Sequence, residues 1–153
     1  MLLVCMSAAL CGFTVQPLTA AQQALVNHRT NNDPNWIVLS HTVVAEDAVR
    51  GVLNASFDPG LRDLAGRPFT ISGYMTPLED NPLTRHFIIT RRDPTCPFCP
   101  PNAPTEAIEV RTRTPTVFTH EEVAVSGRLK LVASSDQGLF FQLEDAAIAS
   151  AHG

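Results

Sequence analysis

From residue 69 onward the chain alternates apolar and polar positions with a period of two, broken by short runs rich in Gly, Pro, Asp and Ser. Phe69-Thr-Ile71-Ser-Gly73-Tyr-Met75 follows this rhythm except at Tyr74, so a half-buried strand is predicted with Phe69, Ile71 and Met75 facing the core. Gly73 falls on the same face, where a missing side chain lets the strand bend or another strand approach closely. A second strand is predicted over His86 to Thr90 and a third, less regular, over Glu106 to Thr112. Val123 to Leu131 alternates strongly around a central Gly127, and the turn Ser134 to Gly138 then leads into Leu139 to Leu143 as a hairpin. Upstream, Ser56-Phe-Asp-Pro-Gly60 and Leu61-Arg-Asp-Leu64-Ala-Gly66 predict a turn, at most one helical turn, and a Gly stop. At least five short strands without a long helix or repeat predict an all-β fold, and glycines at strand centres favour a small barrel over a sandwich.

The N-terminal pattern is different. No Asp, Glu, Lys or Arg occurs before Arg29, and Met1 to Val15 is an apolar run of signal-peptide length, followed by Pro17 and the small residues Ala20 and Ala21. The expected organisation is a signal peptide over residues 1 to 21, a flexible polar lead-in over 22 to 35, and a barrel domain over 36 to 149 that opens at Trp36-Ile-Val-Leu39. The departure from an ordinary export signal is the absence of a basic residue ahead of the apolar run; an uncleaved anchor is the alternative. Cys5 and Cys11 fall within this run, and neither follows the small residue expected at a lipid-attachment site. Export places the domain in the periplasm or outside the cell, where thiols can be oxidised.

Charge narrows the function classes. The 153-residue chain has a formal net charge of -4 with one Trp and one Tyr. An acidic domain poor in stacking rings is ill suited to a nucleic-acid backbone, so no nucleic-acid partner is expected. No nucleophile elbow, phosphate loop or H-E-x-x-H motif occurs, and Glu79-Asp80, adjacent in an extended chain, point apart; the chain is not expected to be an enzyme.

The candidate chemistry lies in Thr95-Cys96-Pro97-Phe98-Cys99-Pro100-Pro101-Asn102. A thioredoxin-type couple needs its first cysteine at a helix N-terminus, which Pro97, Pro100 and Pro101 disfavour. A dithiol redox protein is therefore the weakest of three readings. In the second, Cys96 and Cys99 form a passive disulfide that locks the loop of an envelope adaptor. In the third they ligate a transition metal with His86, at the head of the strand entering the loop, and soft thiolates select zinc or copper(I). His28, His41, His120 and His152 lie outside this constellation. Phe98, held outward by flanking prolines, is a candidate contact with an envelope or membrane-associated protein, as are Tyr74, Arg91 and Arg92 on the barrel surface. Nothing in the sequence sets the oligomeric state.

The block Leu64-Ala-Gly66-Arg-Pro-Phe-Thr-Ile71-Ser-Gly73-Tyr-Met75-Thr-Pro77-Leu78-Glu79, the strand His86 to Thr90, the Cys/Pro loop and Val125-Ser-Gly127-Arg-Leu129 resemble a family of small exported bacterial proteins of unknown function. The resemblance spans roughly Trp36 to Ile148 and is most specific in its G-Y-M-x-P-L-E block. It implies an OB-like barrel outside the cytoplasm and implies no reaction. Many members of that family carry Cys-x-His before the prolines; here a second cysteine stands instead.

Overall fold

The computed structural model describes residues 16–149. The apolar run up to Val15, with Cys5 and Cys11, and His152 lie outside the described residues. The chain runs through α1 (Ala20–His28), α2 (Asn35–Ser40), β1 (Thr42–Asp47), β2 (Val52–Phe57), α3 (Pro59–Asp63), β3 (Pro68–Pro77), β4 (Leu83–Thr90), a 3-10 turn (Pro104–Glu106), β5 (Ala107–Val117), β6 (Glu122–Leu131), β7 (Ser134–Ser135) and β8 (Phe141–Ala149).

Five strands close into a barrel in the order β3-β4-β5-β8-β6, with β3 pairing back onto β6. All pairs are antiparallel except β5 with β8. Counted within the barrel, the order is 1-2-3-5-4, an OB-like arrangement. The predicted inward positions Phe69, Ile71 and Met75 are buried, and Phe87, Ile89, Ile108, Val110, Val125 and Leu129 join them with no measurable exposure. Alternation forces this outcome, because a one-residue slip would turn every one of these side chains to water.

Gly73 is where β3 turns from one neighbour to the other. It pairs with Val123 on β6, while the next residue, Tyr74, pairs with both Glu122 and Thr90. A Cβ at Gly73 would lie 2.5 Å from the Thr90 carbonyl oxygen, 2.7 Å from Ile89 Cγ2 and 3.2 Å from the Trp36 ring. Only glycine lets the barrel close here. Gly127 has the same role on β6, facing the backbone of Glu144 and the Cβ atoms of Leu143 and Ala146 at 3.0 to 3.1 Å.

Trp36-Ile-Val-Leu39 forms α2, whose i, i+3 pair Trp36 and Leu39 is buried in the core. Trp36 Nε1 donates to the Ser72 carbonyl oxygen at 2.8 Å, which fixes the helix against β3. The turn before β3 matches its sequence signals. Asp58 caps α3 through Leu61 N at 2.6 Å, Pro59 occupies the first turn, and Gly66 stops the segment at φ +78°. A hairpin of β1 and β2, extended by β7, forms a separate three-stranded sheet that the strand reading did not resolve. Of β1, only Thr42 is buried and Val43 is 70% exposed, so no clean alternation advertises it.

Residues 22 to 35, read from the sequence as a lead-in, form most of α1 and a turn that hydrogen-bonds to the barrel. Thr19 and Gln22 form a capping box at the start of α1, with Gln22 N donating to Thr19 Oγ1 at 3.2 Å and Thr19 N to Gln22 Oε1 at 2.8 Å. Asn31 Oδ1 accepts from Asp33 N, and Asp33 uses its two carboxylate oxygens to accept from Asn35 N and Ser72 N. The bond from Ser72 N to Asp33 is what docks this turn on β3.

Candidate binding surface around the cysteine loop

The cysteine loop joins β4 to β5 and is built from nested turns. Asp93 Oδ1 accepts from Thr95 N and Thr95 Oγ1 at 2.8 and 2.7 Å, and the Asp93 carbonyl accepts from Cys96 N at 3.1 Å. Cys99 N then donates to the Cys96 carbonyl at 3.4 Å, closing a four-residue turn whose second residue is Pro97. A disulfide between Cys96 and Cys99 closes the same turn, with Cα atoms 5.4 Å apart. Phe98 stands at the corner, 40% exposed. Asn102 fastens the far side of the loop, accepting from Arg92 N at 2.9 Å and donating to the Arg92 carbonyl at 3.2 Å.

Arg91 and Arg92 turn inward at the loop's base. Arg91 Nη1 reaches Glu106 Oε1 at 3.1 Å, and Arg92 Nη1 pairs with Glu106 Oε2. The Glu106 side chain is 10% exposed, and Oε2 also accepts from Ala103 N, so one carboxylate ties both arginines to the 3-10 turn. Their partner-contact role, expected from sequence, meets guanidinium groups already engaged within the chain.

Asp93 is held from the other side by residues that the sequence did not single out. Arg29 Nη1 donates to Asp93 Oδ2 at 2.7 Å, Asp93 N donates to the Arg29 carbonyl at 3.0 Å, and Asn31 N donates to the Arg91 carbonyl at 2.8 Å. Together with a bridge between Thr30 and Arg92, these bonds make residues 29 to 31 a strap lying antiparallel along the exit of β4. Burial raises the Asp93 pKa, but the Thr95 hydrogen bonds and the Arg29 charge outweigh it and hold the carboxyl below its ordinary value. The signal available in the sequence was one of elimination: Arg29 is the first charge in the chain and Asp93 immediately precedes the Pro-Thr-Cys run.

Tyr74 is 7% exposed, and its hydroxyl donates to the His28 carbonyl at 3.4 Å. Burial first, then the nearby Glu122 and Asp93 charges, raise its pKa. The sequence suggested Tyr74 as a barrel-surface contact; the residue is buried, with its hydroxyl against the last residue of α1.

His86 lies elsewhere. A bulge at Thr84, whose hydroxyl accepts from His86 N and donates to the His86 carbonyl, sets His86 opposite Arg111 on β5. Its Nε2 is 2.6 Å from Glu109 Oε1, and Glu109 also accepts from Arg111 Nη2 and Gln142 Nε2, each at 2.7 Å. Burial raises the Glu109 pKa, and these three hydrogen bonds with the Arg111 charge more than reverse it, leaving the carboxyl below its usual range. His86 therefore joins Glu109 rather than Cys96 and Cys99. Among the described residues no group of three or more His, Cys, Asp and Glu side chains is placed to hold a metal ion.

A cavity of about 680 Å³ opens where the strap meets β3 and β6, lined in part by His28, Asn31, Tyr74 and Glu122. No helix among the described residues is long and apolar enough to cross a membrane.

No family model matches the chain, and no curated protein matches it significantly. Among solved structures it is similar to the crystal structure of a DUF3299 family protein from Pseudomonas aeruginosa PAO1, with 23% sequence identity and a TM-score of 0.48 over 65% of this chain and 70% of that chain.

Proposed function

We propose that this protein is an exported, non-catalytic binding module in which a disulfide-locked loop on an OB-like barrel presents Phe98 to an envelope or membrane-associated protein. The observation that carries this reading is the coincidence of the Cys96–Cys99 disulfide with the turn that places Phe98 at its exposed corner. A ring pre-positioned by a covalent clip and by Pro97 loses little conformational freedom on binding, which favours its use as an anchor. Asp93, Asn102 and Glu106 stiffen the base of the same loop, so the anchor sits on a rigid support. A disulfide also fits an oxidising compartment, in line with the signal-like N-terminus.

The alternative in which Cys96 and Cys99 hold zinc or copper requires the reduced pair and further ligands, and His86 is engaged with Glu109. A dithiol exchange role would place the same pair in turnover. One set of measurements separates the three. In protein isolated from the native host, alkylation after denaturation without reductant should modify neither cysteine, and metal analysis should find less than about 0.1 equivalent of zinc or copper. Two free thiols with stoichiometric metal would replace the proposal by a metal-binding function, and insulin reduction with turnover would replace it by redox catalysis. A photo-crosslinking residue at position 98 should capture a discrete envelope protein, while the same residue at the highly exposed Val49 should not. Equal adducts from both positions would remove Phe98 from the reading.

A further inference from the structure

The cavity between the strap and the barrel has a chemistry that the cysteine loop does not use. Glu121 and Glu122 line it, and neither joins an ion pair among the described residues. The strap's cation, Arg29, is engaged with Asp93. The uncompensated charge of the site is therefore negative, which disfavours phosphate and carboxylate ligands and attracts a cation.

Two deeply buried polar side chains add specificity. Asn31 is 4% exposed, and its Oδ1 accepts from both Asp33 N at 2.8 Å and Trp36 Nε1 at 3.2 Å. Those bonds fix the orientation of the amide and leave Nδ2, which donates to no group among the described residues, as the free polar atom of a side chain that lines the cavity. Tyr74 and Glu122 are direct cross-strand partners, so their side chains leave the sheet on the same face. The Tyr74 hydroxyl spends its proton on the His28 carbonyl, which leaves its oxygen lone pairs as acceptors. The cavity thus offers carboxylates and a phenolic oxygen to a hydrogen-bond donor, and one oriented amide N–H group to an acceptor.

We propose that this cavity binds a primary ammonium group bearing an oxygen acceptor on the adjacent carbon, a chemistry shared by a free peptide N-terminus and a 2-amino sugar. The ammonium takes Glu121, Glu122 and the Tyr74 oxygen, and the neighbouring carbonyl or hydroxyl oxygen takes Asn31 Nδ2. Neither Phe98 nor the disulfide contributes, so this site stands or falls independently of the loop-docking function.

Calorimetric titration of the full protein at pH 7 and low ionic strength, using trialanine, N-acetyl-trialanine, glucosamine and glucose, tests it. At least one of trialanine and glucosamine should bind, with its acetylated or amine-free counterpart weaker by at least about tenfold. Binding of trialanine alone identifies a peptide N-terminus as the source, and binding of glucosamine alone identifies an amino sugar. The double variant Glu121→Gln/Glu122→Gln, whose changes fall on exposed side chains, should lose at least about tenfold in affinity while keeping its circular dichroism spectrum. Tyr74→Phe, which removes only the hydroxyl, should weaken binding by about threefold to tenfold. No heat with either amine up to about 10 mM, equal binding by the amine-free counterpart, or unchanged affinity in the double variant would overturn the site.

Discussion

At Gly73 a single methyl group decides whether the barrel closes. In Gly73→Ala the new Cβ meets the Thr90 carbonyl at 2.5 Å, a backbone atom that cannot swing aside as a flexible side chain can. The expected cost is about 3 kcal/mol, from overpacking and strain against a hydrogen-bonded strand, and urea denaturation would measure it as a lowered midpoint. Gly60→Ala is the control, because its added Cβ meets nothing closer than Asp58 Oδ1 at 3.5 Å. Equal midpoints for the two variants would mean that β3 can shift away from β4. Gly73 was legible because it interrupts an otherwise regular alternation on the core face. Asn31 was not: in sequence it is one polar residue among several in a turn, and only its bonds to Trp36 and Arg91 distinguish it.

Elements that alternate or carry caps were readable, whereas those defined by partners distant in sequence were not. β3, β4 and β6 bury one face and expose the other, so period two marks them, and Asp58-Pro59 and Gly66 bracket α3 by backbone preference. The parallel pairing of β5 with β8 leaves no local trace, and the strap beside Asp93 depends on residues 64 positions apart. The cysteine loop falls between these cases: its turn is local, while its base is fixed by the strap and by Glu106. The disulfide closes so short a segment that it restricts the unfolded chain little. Replacing both cysteines by serine should therefore lower stability by no more than about 2 kcal/mol, since loop-closure entropy grows with loop length. Thermal unfolding of the double variant checks this, and a loss of about 4 kcal/mol or more would show that the clip supports the whole barrel and not the loop alone. In that variant hydrogen exchange should rise at position 99, whose N–H group closes the clipped turn in the parent, and stay unchanged at the core strand residue Ile89.

Across the whole molecule, two buried carboxylates join segments that the sequence keeps apart. Asp93 ties the strap to the exit of β4, and Glu109 ties His86 on β4 to Gln142 on β8. Both carry lowered folded-state pKa values relative to ordinary values of 3.8 for the aspartate and 4.5 for the glutamate. The unfolded chain therefore takes up protons before the folded one does. The stabilisation from each group is fully present above its ordinary value and is lost as pH falls from that value through the lower folded-state pKa. Stability should thus decline with acidification beginning near pH 4.5 for Glu109 and near 3.8 for Asp93. The informative comparison uses Asp93→Asn and the double variant Asp93→Asn/Glu109→Gln. Each variant should be less stable than the parent at neutral pH, with Asp93→Asn costing about 1 to 3 kcal/mol for its charge-assisted bonds. Each should also show a flatter fall in denaturation midpoint between neutral and acid pH, most so in the double variant. A parent and double variant with parallel pH profiles would show that these carboxylates do not couple strap and barrel to protonation, and that acid sensitivity arises elsewhere in the fold.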